Sequence, residues 1–232
     1  MGTFDYINMR ANGYQFHVDL MAGKESWTSD KVKNVFKMWG SLFDQGLYQS
    51  GSLGRTWEEA GTSFGKKEVG FVVFGLPHVA LQVPKEQLDD CVIIPFPAID
   101  SANGTDSVEA PIDGFVLPAK AKNSKGAKDL LKFIGTPAAE DAYLKVDPTN
   151  VAIHPNADTS SYSALQKASV KLTADAKHVS QYLDRDTRPD FAQTVIIKAF
   201  QSFIDKHSSS DIDALCANIE DQKKSIFATP VS

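Results

Sequence analysis

Hydrophobic positions fall into a helical pattern over residues 31–44, where Val32, Val35, Phe36, Trp39, Leu42 and Phe43 share one face. Ser29 or Asp30 stands where an N-cap belongs, and Gly46 where a C-terminal glycine does. Thr56 and Glu59 have the spacing of a capping box for a second helix that ends near Gly65. The period then changes. Residues 69–74 form an apolar run closed by Gly75-Leu76-Pro77-His78, which predicts a strand buried on both faces, as in mainly parallel sheets. Open α/β sheets place ligands beyond the carboxyl ends of their strands, so the turn at 75–78 is a first candidate site.

Further along, residues 91–94 read as a strand running into Pro95 and Pro97, which cannot donate to a ladder. Residues 101–106 are a polar, turn-rich loop, and 114–117 a short strand. A helix over 125–134 carries Ala127, Leu130, Leu131 and Ile134 on one face. Another helix begins at Thr136-Pro137, with proline at its tolerated first position. Asp147-Pro148-Thr149-Asn150 breaks the chain, and helices follow near 161–174, 189–206 and 211–227. The pattern is α/β and helix-rich, with too few strands for a complete doubly wound sheet.

Composition changes this picture little. The 232 residues are 42% hydrophobic and 23% charged with a net charge of −5, ordinary for a globular chain. A mildly acidic chain without a basic block argues against nucleic acid as partner, and no apolar stretch approaches the length of a membrane span. Two cysteines, Cys91 and Cys216, and five scattered histidines show no metal-type spacing. The chain opens abruptly on Met1-Gly2-Thr3-Phe4-Asp5-Tyr6, with neither the basic start nor the apolar segment of a signal peptide. It starts like the middle of a longer protein.

Several segments in order carry a resemblance. They are Trp57-Glu58-Glu59-Ala60, the apolar run and its glycine, Pro95-Phe96-Pro97, and Ala110-Pro111-Ile112-Asp113-Gly114-Phe115-Val116-Leu117-Pro118. The stretch 123–137, from Asn-Ser-Lys-Gly to Gly-Thr-Pro, completes the series. Together they resemble the extracellular solute-binding proteins, family 1, of ABC-type sugar importers, in the branch with a Tyr-x-Asp-Arg-Asp-Thr segment, here 182–187. The resemblance implies a periplasmic-binding-protein-like (type II) two-lobe α/β fold, represented mostly by its C-terminal lobe. By that likeness 1–94 and 139–232 belong to the C-terminal lobe, while 95–138 crosses the hinge and adds a strand and helix to the N-terminal lobe. It further implies an oligosaccharide ligand held by hinge closure, ABC permease subunits as partners, no cofactor, and a monomer when complete. The location implied is extracellular, lipoprotein-anchored or periplasmic.

Sugar recognition needs flat aromatic faces and planar polar side chains, because hydroxyls both donate and accept. Trp57 precedes the capping box and is either a platform for a sugar or a packed staple. His78 takes the place where the family offers an aromatic or amide contact. Asp113, at the mouth of a strand, either faces the cleft or caps a turn. Tyr182, Asp184 and Asp186 concentrate hydroxyl and carboxylates around Arg185, against the alternative of a surface charge cluster. Asn8, Arg10 and Asn12 lie in an amide- and aromatic-rich opening that the resemblance puts near the cleft wall. Trp39 is expected in the core and Trp27, between Ser26 and Thr28, on a partly exposed loop.

Two other readings remain. A truncated fragment that binds no sugar is one. A glycosidase using Asp113 with Asp184 or Asp186 is the other, although no spacing or fingerprint indicates acid/base chemistry.

Overall fold

A computed structural model describes residues 1–147 and 149–230. In chain order the helices begin with α1 (Gly2–Asn12), α2 (Tyr14–Met21), α3 (Asp30–Asp44), α4 (Trp57–Gly65) and α5 (Leu76–Gln82). After strand β1 (Ser107–Glu109) come α6 (Ser124–Ile134), α7 (Pro137–Val146) and α8 (Ala164–Asp175). Strand β2 (His178–Ser180) precedes α9 (Leu183–Asp186) and α10 (Pro189–Phe191). A π-helical segment, Ala192–Ile196, leads into α11 (Ile197–Asp205), and α12 (Ser209–Phe227) ends the series.

The chain divides into two compact units. The first collects Met1–Thr56, Pro95–Pro111 and the chain from Asp175 on; the second holds Trp57–Ile94 and Ile112–Ala174. The segments expected from the resemblance, 1–94, 95–138 and 139–232, cut across these units.

The first unit is built on aromatic packing. Phe4 of α1 stacks on Trp27 at 5.7 Å and meets Phe200 of α11 at 4.9 Å, while Phe36 and Trp39 of α3 lie 5.0 and 4.8 Å from Phe203. Trp27, expected to be partly exposed, is fully buried. Its backbone N–H donates to Glu220 of α12 at 2.9 Å, and Lys223 neutralises that buried carboxylate at 3.0 Å. The polar neighbours Ser26 and Thr28 masked this burial. Helix α3 starts as its pattern predicts, with Ser29 accepting from the Val32 amide. A Ser208–Asp211 capping box sets the start of α12.

The sheet differs most from expectation. Among the described residues it has two strands, β1 and β2, parallel, with Ser107 opposite His178 and Glu109 opposite Ser180. None of the expected strands at 69–74, 91–94 and 114–117 forms. These stretches are non-helical with exposed apolar side chains, Phe71 being 84% and Val116 87% accessible. An apolar run becomes a buried strand only where a neighbour supplies hydrogen bonds and covers both faces, and among the described residues none pairs with them.

The second unit is correspondingly thin inside. Helix α6 forms as predicted, capped by Asn123, yet buries no residue and leaves Leu130 and Phe133 exposed. Helix α7 starts at Pro137 behind the cap Thr136. The predicted break at 147–150 includes Pro148, which lies outside the described residues; around it Asp147 accepts from the Thr149 amide at 3.1 Å.

Candidate functional site

In the second unit α4 and α5 approach closely, because Gly61 and Gly65 face α5 and the chain after it. A Cβ on Gly61 would stand 2.7 Å from Gln82 Cγ, so a larger residue would force the pair apart. This closeness brings Trp57, the first residue of α4, against His78 in the first turn of α5. Their rings meet edge to face, centroids 4.8 Å apart and planes at 89°. Phe74 backs the imidazole at 5.8 Å. The indole is 42% accessible, and His78 Nδ1 is buried without a hydrogen-bond partner. A partly exposed indole braced by a packed imidazole offers the kind of apolar platform that the C–H face of a pyranose needs, with His78 Nδ1 enclosed beside it.

Asp113 lies in the same unit on the exposed 112–117 stretch. The Tyr143 hydroxyl donates to Asp147 at 3.2 Å, and its pKa is raised by burial first, then by Asp147, with the charge of Asp113 contributing.

The other expected residues belong to the first unit, and most face inward. Arg10 is buried. Its Nε donates to the Phe96 carbonyl at 3.0 Å, Nη1 to Ser107 Oγ at 2.7 Å and Nη2 to the Ser107 carbonyl at 2.8 Å. The guanidinium also lies 5.3 Å from the Tyr6 ring centre. These bonds tie α1 to β1 and to the 95–97 segment. Asn8 is likewise buried, 3.1 Å from His17 Nδ1, and its Oδ1 accepts from Asn12 at 2.8 Å. Burial lowers the pKa of His17, against the opposing charges of Asp5 and Asp186. Of the three candidates on α1, only Asn12 keeps part of its side chain toward solvent.

Tyr182 precedes α9, and its half-buried phenol has a raised pKa, through burial first and then through Glu109. Asp186 accepts from the Gln181 amide at 3.1 Å; burial raises its pKa. It borders a cavity of about 200 Å³ with Tyr14, Met21 and Gln181. Asp184 is half-buried on the same short helix.

Two acids that drew no notice in the sequence lie beneath these groups. Asp5 and Glu109 are buried together. Asp5 Oδ2 accepts from the Leu183 amide at 3.1 Å, whereas Asp5 Oδ1 and both Glu109 oxygens meet no donor. Burial, then the charge and hydrogen bond of Asp5, hold the Glu109 carboxyl well above the usual carboxylate range. Tyr6, whose hydroxyl accepts from the Glu109 amide at 3.1 Å, is pushed up to about 12, chiefly by burial. No sequence spacing announces such a pair, since its members are joined only by the fold.

Among the described residues no group of three or more His, Cys, Asp or Glu side chains is placed to hold a metal ion, and no helix is long and apolar enough to cross a membrane.

The sequence model of one family, described as bacterial extracellular solute-binding protein, matches residues 2–141. The chain is a member of the bacterial extracellular solute-binding proteins. No curated protein matches this solute-binding protein by sequence. Among solved structures, it is similar to the bacterial solute receptor AcbH, described as having an exclusive preference for β-D-galactopyranose. The TM-score is 0.92 at 41% identity, over 97% of this chain and 57% of AcbH. A chitin oligosaccharide binding protein follows at TM-score 0.83 and 18% identity, over 98% of this chain and 57% of the other. A structure from a study of xylan utilization by the thermophilic bacterium Caldanaerobius polysaccharolyticus has TM-score 0.74 and 18% identity, over 95% and 58%. At 18% identity the latter two speak for the fold alone. This solute-binding protein thus spans somewhat over half the length of the solved relatives it matches. Its helix-rich architecture with few strands is a partial periplasmic-binding-protein-like fold.

Proposed function

We propose that this chain belongs to the oligosaccharide-binding component of an ABC importer, which delivers sugar to permease subunits outside the cytoplasmic membrane. The intact protein is lipoprotein-anchored or periplasmic and closes two lobes around its ligand by hinge motion. The observation that carries this reading is the Trp57–His78 corner, where a partly exposed indole is held edge to face against the imidazole. The 41% identity to a galactose-preferring receptor supports the ligand class. Asp113 in the second unit and Tyr182, Asp184 and Asp186 in the first are the further candidates for hydroxyl contacts, whereas Asn8 and Arg10 turn inward and hold α1 to its neighbours.

A thermal-shift series with D-galactose, chitin oligosaccharides and xylo-oligosaccharides tests the proposal, since a ligand that binds only the native state raises the melting temperature. A saturable rise with at least one sugar, diminished in Trp57→Ala, is expected. A flat response across the panel would favour the second reading, a fragment that binds no sugar, which draws on the exposed apolar side chains of the second unit. Aryl glycosides are expected to remain unhydrolysed.

A further inference from the structure

The first unit holds a groove of about 530 Å³ that none of the sequence candidates except Asn12 reaches. One side is an aromatic pair: Tyr14, at the start of α2, stacks on His178 of β2 with centroids 4.5 Å apart and planes at 6°. The Tyr14 hydroxyl donates to the Val179 carbonyl at 3.2 Å, which fixes the ring against the strand, while His178 itself is exposed. The opposite side is the turn at 100–104. Asn103 Nδ2 and the Asp100 amide both donate to the Arg10 carbonyl, at 3.2 and 3.1 Å, and pin that turn to the end of α1. Gly13 lets the walls come this close. Its φ of +87° suits glycine, and a Cβ there would lie 3.0 Å from Asn103 Oδ1.

What the groove leaves unused decides its chemistry. Asn12 and Gln15 spend their amide donors on Asn8, Lys31 and Asp19, so their carbonyl oxygens accept nothing among the described residues. The backbone carbonyl of Asp106 accepts from the Lys177 and His178 amides at 2.8 and 3.1 Å and sets its side chain at the rim. Among the described residues its carboxylate pairs with the exposed Lys177 ammonium, at 3.5 Å, an ion pair of little energy, and its charge also reaches the Arg10 guanidinium. The groove therefore offers the outer face of one aromatic ring backed by another, with acceptors of spare capacity around it, and a volume inside the roughly 300–1,000 Å³ range of ligand pockets.

We propose that this groove is a second carbohydrate-contact surface, which takes one neutral pyranose with its C–H face on the exposed His178 ring, backed by Tyr14, and its hydroxyls donating to Asp106, Asn12 and Gln15. Asp106 disfavours acidic sugars by like-charge repulsion. The ligand class rests on the carbohydrate reading above; the location does not, since every residue of the groove belongs to the first unit while Trp57 and His78 belong to the second.

Proton NMR of the purified chain, with the His178 ring signals assigned by their loss in His178→Ala, tests it on titration with methyl β-D-galactopyranoside and chitobiose. We expect saturable movement of the His178 signals with at least one sugar. Trp57→Ala should leave that movement intact. Asp106→Asn, a partly exposed change that spares the fold, should weaken it about tenfold, as for one hydrogen bond to a charged group. Stationary His178 signals while a Trp57-dependent melting shift persists would overturn this proposal and leave the importer reading standing. Stationary signals together with no melting shift would overturn both.

Discussion

Glu109 lies buried against Asp5 so that three of their four carboxyl oxygens meet no donor from the rest of the protein. A proton held between them supplies the missing donor and removes one of two adjacent buried charges. Met1's amine, Tyr6 and Arg10 on the α1 side, His17 on α2, and Tyr182 and Asp186 around α9 are the other titratable groups felt within this cluster. Burial and Asp5 raise the pKa of Glu109 in the folded state, so the native protein binds this proton more tightly than the unfolded chain does.

The sign of the pH dependence follows. A carboxyl with a raised native pKa contributes stability that is fully present below the unfolded value, about 4.3, and is lost as pH climbs through the native value. Urea denaturation across this range should show stability falling as pH rises. Glu109→Gln, neutral at every pH, should flatten the fall. An unchanged slope in the variant would assign the effect to other groups.

Arg10 divides structural from binding roles on α1. Removing a buried guanidinium that satisfies two carbonyls and a hydroxyl leaves those acceptors orphaned. Arg10→Ala should cost about 3 kcal/mol of unfolding free energy, read by urea titration. Arg10→Lys should recover only part of it, because a single ammonium cannot reproduce the fork. Wild-type stability in either variant would contradict the clamp.

The two tryptophans should respond oppositely. Trp27→Ala opens a cavity between Phe4 and Phe191 and should destabilise by about 3–5 kcal/mol. Trp57→Ala removes a half-exposed ring and should shift stability by about 1 kcal/mol or less, while reducing the sugar-dependent melting shift to what the Tyr14–His178 groove alone supplies. Melting curves with and without sugar separate the two effects.

Hydrogen exchange should divide the chain as the packing does. Amides of α3, α11 and α12, around the aromatic cluster, should be the slowest to exchange. Amides of 69–74, 91–94 and 114–117, without ladder partners among the described residues, should exchange within the fastest class. Apolar exposure in these stretches should also bind a hydrophobic dye and limit solubility. Protection of 69–74 equal to that of α3 would show that those residues are paired in solution.

Elements decided by local chemistry were legible in the sequence. The apolar face of α3 with Ser29 before it, the Thr136-Pro137 start of α7 and the extent of α12 all follow from neighbours within one or two turns. Strands depend on partners far along the chain. The run 69–74 has strand composition without a ladder, and β1 and β2, three residues each, have a ladder without strand composition. The candidate residues divide the same way. Trp57 and His78 stood out by type and position, yet only the glycine-mediated approach of α4 and α5 makes them neighbours. Asn8 and Arg10 have the right chemistry for sugar, but side-chain direction on α1 is set by Ser107, Phe96 and His17, distant in sequence. The Tyr14–His178 pair had one signal, a Gly13 between two amide-rich turns, and Glu109 had none.

The aromatic cluster of the first unit also dictates when this protein can fold. Phe4, Trp27, Phe36 and Trp39 are synthesised well before Phe200, Phe203 and Glu220, which cover them. Until α12 emerges, the nascent chain carries an unsealed apolar surface, so the first unit closes only once contacts far apart in the sequence can form.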